Sequence, residues 1–134
     1  MIIGLTGGIA SGKSTAAAYL KSKGAVIVDG DRLGHRAYEP DTPAFGEVAE
    51  TFGPEVVGAD GQIDRKVLGG KVFGNPEALN HLTDILWPQI RRLAEAEIKE
   101  YQAENPNRHI VVDAAVMLEA GWQDMVDEVW VVFV

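Results

Sequence analysis

The sequence predicts an α/β fold: a parallel sheet with flanking helices, interrupted by a mostly helical insertion. Three observations lead there. The first thirty residues read strand, glycine-rich loop, helix, strand, the order of a βαβ unit with a right-handed crossover. The apolar runs at 25–28, 110–112 and 129–134 read as strands, and 25–28, β-branched with little alternation, suits a strand buried on both faces. Between about residues 31 and 105, helical spacing and turn residues prevail.

Taken in order, Ile2-Ile3-Gly4-Leu5-Thr6 forms the first strand and residues 7–12 the loop. A helix follows from Lys13 to Lys23, with Ala17, Ala18 and Leu20 as helix formers and Gly24 as its stop. Ala25-Val26-Ile27-Val28 is the second strand, and a helix is expected to start near Arg32. Pro40, Pro43, Gly53-Pro54 and Asp60-Gly61 then divide the chain into short pieces. Val56-Val57 and Gln62-Ile63 flank a Gly-Ala-Asp-Gly turn and suit a small hairpin. Asn75-Pro76 supplies an N-cap with proline at the first helical position. Pro88 is expected to open a longer helix in which Ile90, Leu93, Ala94, Glu97, Ile98 and Tyr101 recur at helical spacing. The remaining strands are Ile110-Val111-Val112, ending in Asp113, and the run 129–134. Leu33, Phe45, Phe52, Val67, Leu68, Phe73, Leu79, Leu82, Leu86 and Trp87 are expected in the core. The partition is a nucleotide-type core, residues 1–31 and 106–134, with the insertion at about 32–105. That core looks unfinished, because a parallel sheet needs its last strand covered by a helix.

Composition narrows the function. Twelve basic against twenty acidic side chains give a net charge of -8, with no basic cluster to displace the counterions of a nucleic acid. The absence of cysteine excludes disulfides, thiolate metal sites and a catalytic thiol. The first apolar stretch has no basic flank and is broken by glycines, so a signal peptide is not expected, and no apolar run approaches a membrane span. These features suit a cytoplasmic protein without nucleic-acid or membrane partners; they set no oligomeric state.

Gly7-Gly8-Ile9-Ala10-Ser11-Gly12-Lys13-Ser14, followed by Thr15, fits the G-x-x-x-x-G-K-[ST] phosphate loop, and it stands between strand and helix as that loop must. Glycines let successive N–H groups wrap a phosphate, and the helix N-terminus adds favourable charge. Lys13 would reach the β- and γ-phosphates of a nucleoside triphosphate, and the Ser14 hydroxyl would ligate Mg²⁺. The loop alone does not separate a kinase from a GTPase or a motor ATPase. The bland alternative is a glycine connector with a solvated lysine. Asp29-Gly30-Asp31 follows the second strand, where ligands meet such sheets. One of these aspartates would take a proton from a substrate hydroxyl while the other caps the next helix. Asp113 would hold Mg²⁺ directly or through water, or is merely a strand-end turn residue. Glu119 stands beyond an apolar turn, either facing the cleft or solvated, and His35 lies four residues past Asp31.

In order and spacing, residues 4–15, Asp29-Gly30-Asp31, Phe52-Gly53, Asp60-Gly61, Arg65 with Leu68, and Phe73 resemble dephospho-CoA kinase over the whole chain. The stretch 112–122 looks closest to the kinase half of the bifunctional animal CoA synthase. Trp87-Pro88 and Ala115-Val116-Met117 stand where the commoner bacterial pattern has His-Pro and Pro-Leu-Leu. The resemblance implies a P-loop kinase fold, three-layer α/β/α with spatial strand order 25–28, 110–112, 2–5, 129–134. It implies transfer of the ATP γ-phosphate to the ribose 3′-hydroxyl of dephospho-CoA, with Asp31 as the base. The insertion would bind CoA, with Arg65 and His35 on the substrate. Family members continue past residue 134, so the sequence is expected to be the N-terminal portion of the domain. Another P-loop kinase, acting on a nucleoside or nucleoside monophosphate, shares the loop and the aspartate. A guanine-nucleotide switch would carry an Asn-Lys-x-Asp signature, which this sequence lacks.

Overall fold

The computed structural model describes residues 1–8 and 12–133. The elements are β1 (Ile2–Gly7), α1 (Lys13–Ser22), β2 (Val26–Asp29), α2 (Gly30–Arg36), α3 (Pro43–Phe52), α4 (Arg65–Val72), α5 (Pro76–Glu104), β3 (Ile110–Asp113) and β4 (Glu128–Val132). Short 3-10 turns lie at Pro54–Val56 and Trp122–Met125. The four strands form one parallel sheet in the order β2-β3-β1-β4, the order expected from the sequence. The last strand begins one residue earlier than expected, and Val134 lies outside the described residues.

The chain divides into two compact units, Met1–Asp31 with Arg91–Val134, and Arg32–Ile90. In the first, Ile3, Leu5, Ala17, Ala25 and Val111 form a buried cluster against which Ala16, Leu20, Ile27 and Val132 pack. α1 thus covers the sheet through its small and apolar face. The central strands β1 and β3 are buried along their lengths, but β2, at a sheet edge, buries only Val28 fully. The expectation that β2 is covered on both faces fails for that reason.

In the second unit, Val48, Val56, Ile63 and Leu68 form the core, with Tyr38, Phe45, Phe52, Leu82, Ile85 and Leu86 packed around it. Its helices carry the side-chain caps that their N-terminal N–H groups require. Thr42 Oγ1 accepts from Phe45 N at 3.4 Å, Asp64 Oδ1 from Lys66 N at 3.0 Å, and Asn75 Oδ1 from Ala78 N at 3.2 Å. The expected hairpin is reduced to one antiparallel bridge, Val57 with Ile63, closed by Gly58 N donating to Gln62 O at 2.7 Å. Three expected core residues are exposed: Phe73, Leu79 and Val67, with Phe73 at 91%. Phe73 is the C-cap of α4 and precedes Gly74 in a left-handed turn, so the chain leaves the core there.

Pro88 does not open a helix. It lies inside α5, which runs unbroken for 29 residues. An internal proline loses one backbone hydrogen bond and crowds the carbonyl one turn back, at a cost of about 3 kcal/mol. Apolar packing outweighs it: Leu82, Ile85 and Leu86 pack before the proline, and Ile90, Ala94 and Ile98 are buried after it.

Candidate functional site

The first unit gathers the phosphate-loop residues and the strand-end carboxylates. β1 ends at Gly7 and α1 begins at Lys13. Gly8 is open to solvent, and Ile9, Ala10 and Ser11 lie outside the described residues. Gly12 caps α1 with φ 91° and ψ 7°, a left-handed conformation that a side chain would strain by about 1–2 kcal/mol. Its carbonyl accepts the Ala16 N–H at 3.0 Å, the first bond of the helix. Ser14 and Thr15 are exposed in the first turn, which holds no acidic side chain to offset the positive end of the helix dipole.

Parallel register brings the acids together. Asp113 is paired with Leu5 of β1 on one side and with Asp29 of β2 on the other, so both carboxylates stand at the carboxyl end of the sheet. Asp113 accepts an ion-paired hydrogen bond from Lys13, and the two side chains are only 16% and 17% exposed. The sequence assigned Lys13 to phosphate and Asp113 to a metal; the structure pairs them with each other. Asp29 Oδ1 accepts the Asp31 N–H at 3.0 Å and so caps α2, while Asp31 is exposed in the first helical turn. α2 therefore starts at Gly30, two residues earlier than expected. Between the two aspartates, Gly30 has a steric role of its own. A Cβ there would lie 2.8 Å from Asp113 O and 3.2 Å from Ala114 Cβ, so only glycine allows the two strand ends this approach. Glu119 is exposed.

The donors present suit a small hard cation. A carboxylate on Asp113 and a hydroxyl on Ser14 are oxygen ligands of the kind Mg²⁺ takes alongside phosphate and water. Among the described residues no cluster of three His, Cys, Asp or Glu side chains is placed to hold a metal ion.

In the second unit, Arg65 reaches His35, with Nη1 2.8 Å from Nε2 and Nη2 3.1 Å from Nδ1. A neutral imidazole has one acceptor nitrogen, so one of these contacts is a hydrogen bond. Both residues line a recess of about 150 Å³ together with Tyr38, Gln62 and Ile63. Burial raises the Tyr38 pKa above its ordinary value, and the Arg65 charge opposes that rise. Lys71 of this unit is ion-paired with Glu55, and Arg91, in the first unit, with Glu95 and Asp124. The Lys71 contact holds the Glu55 carboxyl below its usual range.

A family model described as dephospho-CoA kinase matches residues 1–134. The chain belongs to the dephospho-CoA kinase family. The dephospho-CoA kinase of Moorella thermoacetica is 44% identical over 131 residues, which is 98% of this chain and 62% of that protein. That of Symbiobacterium thermophilum is 43% identical over 133 residues, 99% of this chain and 55% of the relative. The chain thus spans somewhat more than half the length of these relatives. A solved Thermus thermophilus structure aligns with TM-score 0.77 and 34% identity over 99% of this chain and 65% of that one. The dephospho-CoA kinase structure from Campylobacter jejuni gives TM-score 0.71 at 23% identity, over 97% of this chain and 64% of that one, a likeness of fold. The sheet with its strand-to-helix phosphate loop is accordingly the P-loop kinase fold as dephospho-CoA kinases carry it. Among the described residues no helix is long and apolar enough to cross a membrane.

Proposed function

We propose that the protein transfers the γ-phosphoryl group of ATP to the 3′-hydroxyl of dephospho-CoA, giving CoA and ADP, the last step of CoA biosynthesis. The observation that carries this reading is the strand-end cluster, Lys13 on Asp113 with Asp29 at the same register position and Asp31 two residues on, in a chain of the dephospho-CoA kinase family. Residues 7–15 would bind the triphosphate: backbone N–H groups and the α1 N-terminus hold its oxygens, and Lys13 moves from Asp113 to the β- and γ-phosphates. Ser14 and Asp113, directly or through water, would hold Mg²⁺, which when bound neutralises charge developing on the phosphates.

Asp31 takes the role of general base. Its carboxylate accepts the proton of the 3′-hydroxyl as that oxygen bonds to the γ-phosphorus and the bond to the ADP oxygen breaks. Asp29 is the weaker candidate, since its carboxylate already caps α2. The helical segment of about residues 32–105 supplies the acceptor-binding insertion, with His35 and Arg65 on the anionic substrate. A cytoplasmic site of action belongs to the same reading. A phosphotransfer assay of the full-length protein with ATP and Mg²⁺ tests it, using dephospho-CoA, adenosine and nucleoside monophosphates as acceptors. Product with dephospho-CoA alone is expected. Preference for adenosine or a monophosphate would replace this reading with that of a nucleoside or nucleotide kinase.

A further inference from the structure

Thr6 is the single buried polar side chain among the described residues, at 6% exposure. It stands on β1 directly before the phosphate loop, and its hydroxyl donates to the Ala115 carbonyl at 3.2 Å. β3 ends at Asp113, yet its pairing with β1 continues for one more step, because Ala114 N donates to Leu5 O at 3.0 Å. The Thr6 hydroxyl extends that ladder by another step after the main chain has left the sheet. Asp113 is therefore held on both sides: by its strand before, and by two consecutive anchors to β1 after.

The neighbourhood leaves little slack. Gly30 passes so close to Asp113 O that no side chain fits between them. Met117 fills the notch above Gly4, where a Cβ would meet its Cε at 3.0 Å. Ala115 is exposed, so its carbonyl, once released, would turn to water, and the turn would lose the tie that holds it against β1. The carboxylate two residues upstream would shift with it.

We propose that Thr6 is a positioning residue. Its hydroxyl fixes the turn after β3 and thereby sets where the Asp113 carboxylate stands for Lys13 and for the cation that accompanies ATP. The inference rests on the nucleotide-binding reading above but assigns a role to a residue outside the phosphate-loop motif. A packing role alone would depend on the shape of Thr6, whereas a positioning role depends on its hydroxyl.

The test is calorimetric binding of ATP to the full-length protein, with Mg²⁺ and with chelator, for wild type, Thr6→Val, Thr6→Ala and Thr6→Ser. The quantity read is the factor by which Mg²⁺ tightens ATP binding. In Thr6→Val and Thr6→Ala this factor should fall about tenfold, the low end for residues that orient a metal ligand from behind, and Thr6→Ser should restore it to within about twofold of wild type. Thr6→Ala decides the matter if Thr6→Val does not fold. A wild-type Mg²⁺ factor in either folded hydroxyl-free variant overturns the proposal, as does failure of both to fold, which would make the hydroxyl structural. Absence of ATP binding by wild type would instead overturn the nucleotide-binding reading itself.

Discussion

Replacing Asp113 by asparagine should make ATP bind more tightly without Mg²⁺ and less responsively with it. On the proposed reading Lys13 leaves Asp113 for the β- and γ-phosphates, so binding the nucleotide breaks that contact. Both side chains are mostly withdrawn from water, at 17% and 16% exposure, which places the pair between a surface and a buried salt bridge. A hydrogen bond between charged groups in such a setting contributes about 1.5–3 kcal/mol. Asparagine keeps the size and still offers Lys13 a carbonyl oxygen, so about 1.5 kcal/mol, the lower end of that range, is released, a factor of about ten in affinity. Removing the negative charge beside the phosphates acts in the same direction. On the proposed reading that Asp113 holds Mg²⁺, the gain shrinks as Mg²⁺ is added, because the substituted amide is a poorer ligand than a carboxylate for a hard cation. Titration calorimetry of ATP into wild type and Asp113→Asn, in chelator and in Mg²⁺, measures both effects in one experiment. Unchanged or weaker Mg²⁺-free binding by a folded variant would refute the reasoning, since it would mean the pair does not restrain Lys13.

Asp31→Asn retains side-chain volume but cannot take a proton, so turnover should fall about 10²- to 10⁴-fold with ATP affinity little changed; steady-state kinetics with a binding titration check both. Gly30→Ala forces a Cβ to 2.8 Å from Asp113 O and should cost about 1–3 kcal/mol, read as a lower denaturant midpoint with unchanged slope. Glu55, exposed and paired with Lys71, has its pKa lowered on folding, so its stabilisation is present above the ordinary carboxylate value and is lost as pH falls through the lower folded value. Urea midpoints from about pH 6 to about pH 3 should show that loss in wild type and not in Glu55→Gln, and high salt should suppress it.

The central strands were legible because a parallel sheet buried between layers demands near-continuous apolar runs: 110–112 is wholly β-branched, and 2–6 carries Ile2, Ile3 and Leu5. β2 carries the same signature but lies at an edge, a fact of strand order that no local pattern holds. Pro88 misled for a related reason. Propensity treats a proline as a boundary, whereas the continuity of α5 comes from apolar residues on both sides of it that bury against tertiary partners. Phe73 shows the converse: hydrophobicity predicts burial, but an apolar residue at a helix C-cap before a left-handed glycine is carried outward by the turn.

At the candidate site the residue types were legible and their partnerships were not. The loop motif and the acids after two strands can be read locally, because each must occupy a strand end. That Asp29 and Asp113 share a register position, and that Lys13 rests on Asp113, follows from β3 lying between β1 and β2. The spacing of β3 from the other two is filled by a helical segment whose length says nothing about pairing. Once the order is fixed, geometry divides the roles of the Asp-Gly-Asp triplet. Asp29 ends the strand, half-buried, and its carboxylate turns back to cap the helix. Gly30 gives the backbone passage past Asp113 O. Asp31, one step into the helix, is the acid left on the exposed side, where an incoming hydroxyl can reach it. The cap is thus Asp29, and the base proposed above is the aspartate on the other side of the turn, exposed in the first turn of α2.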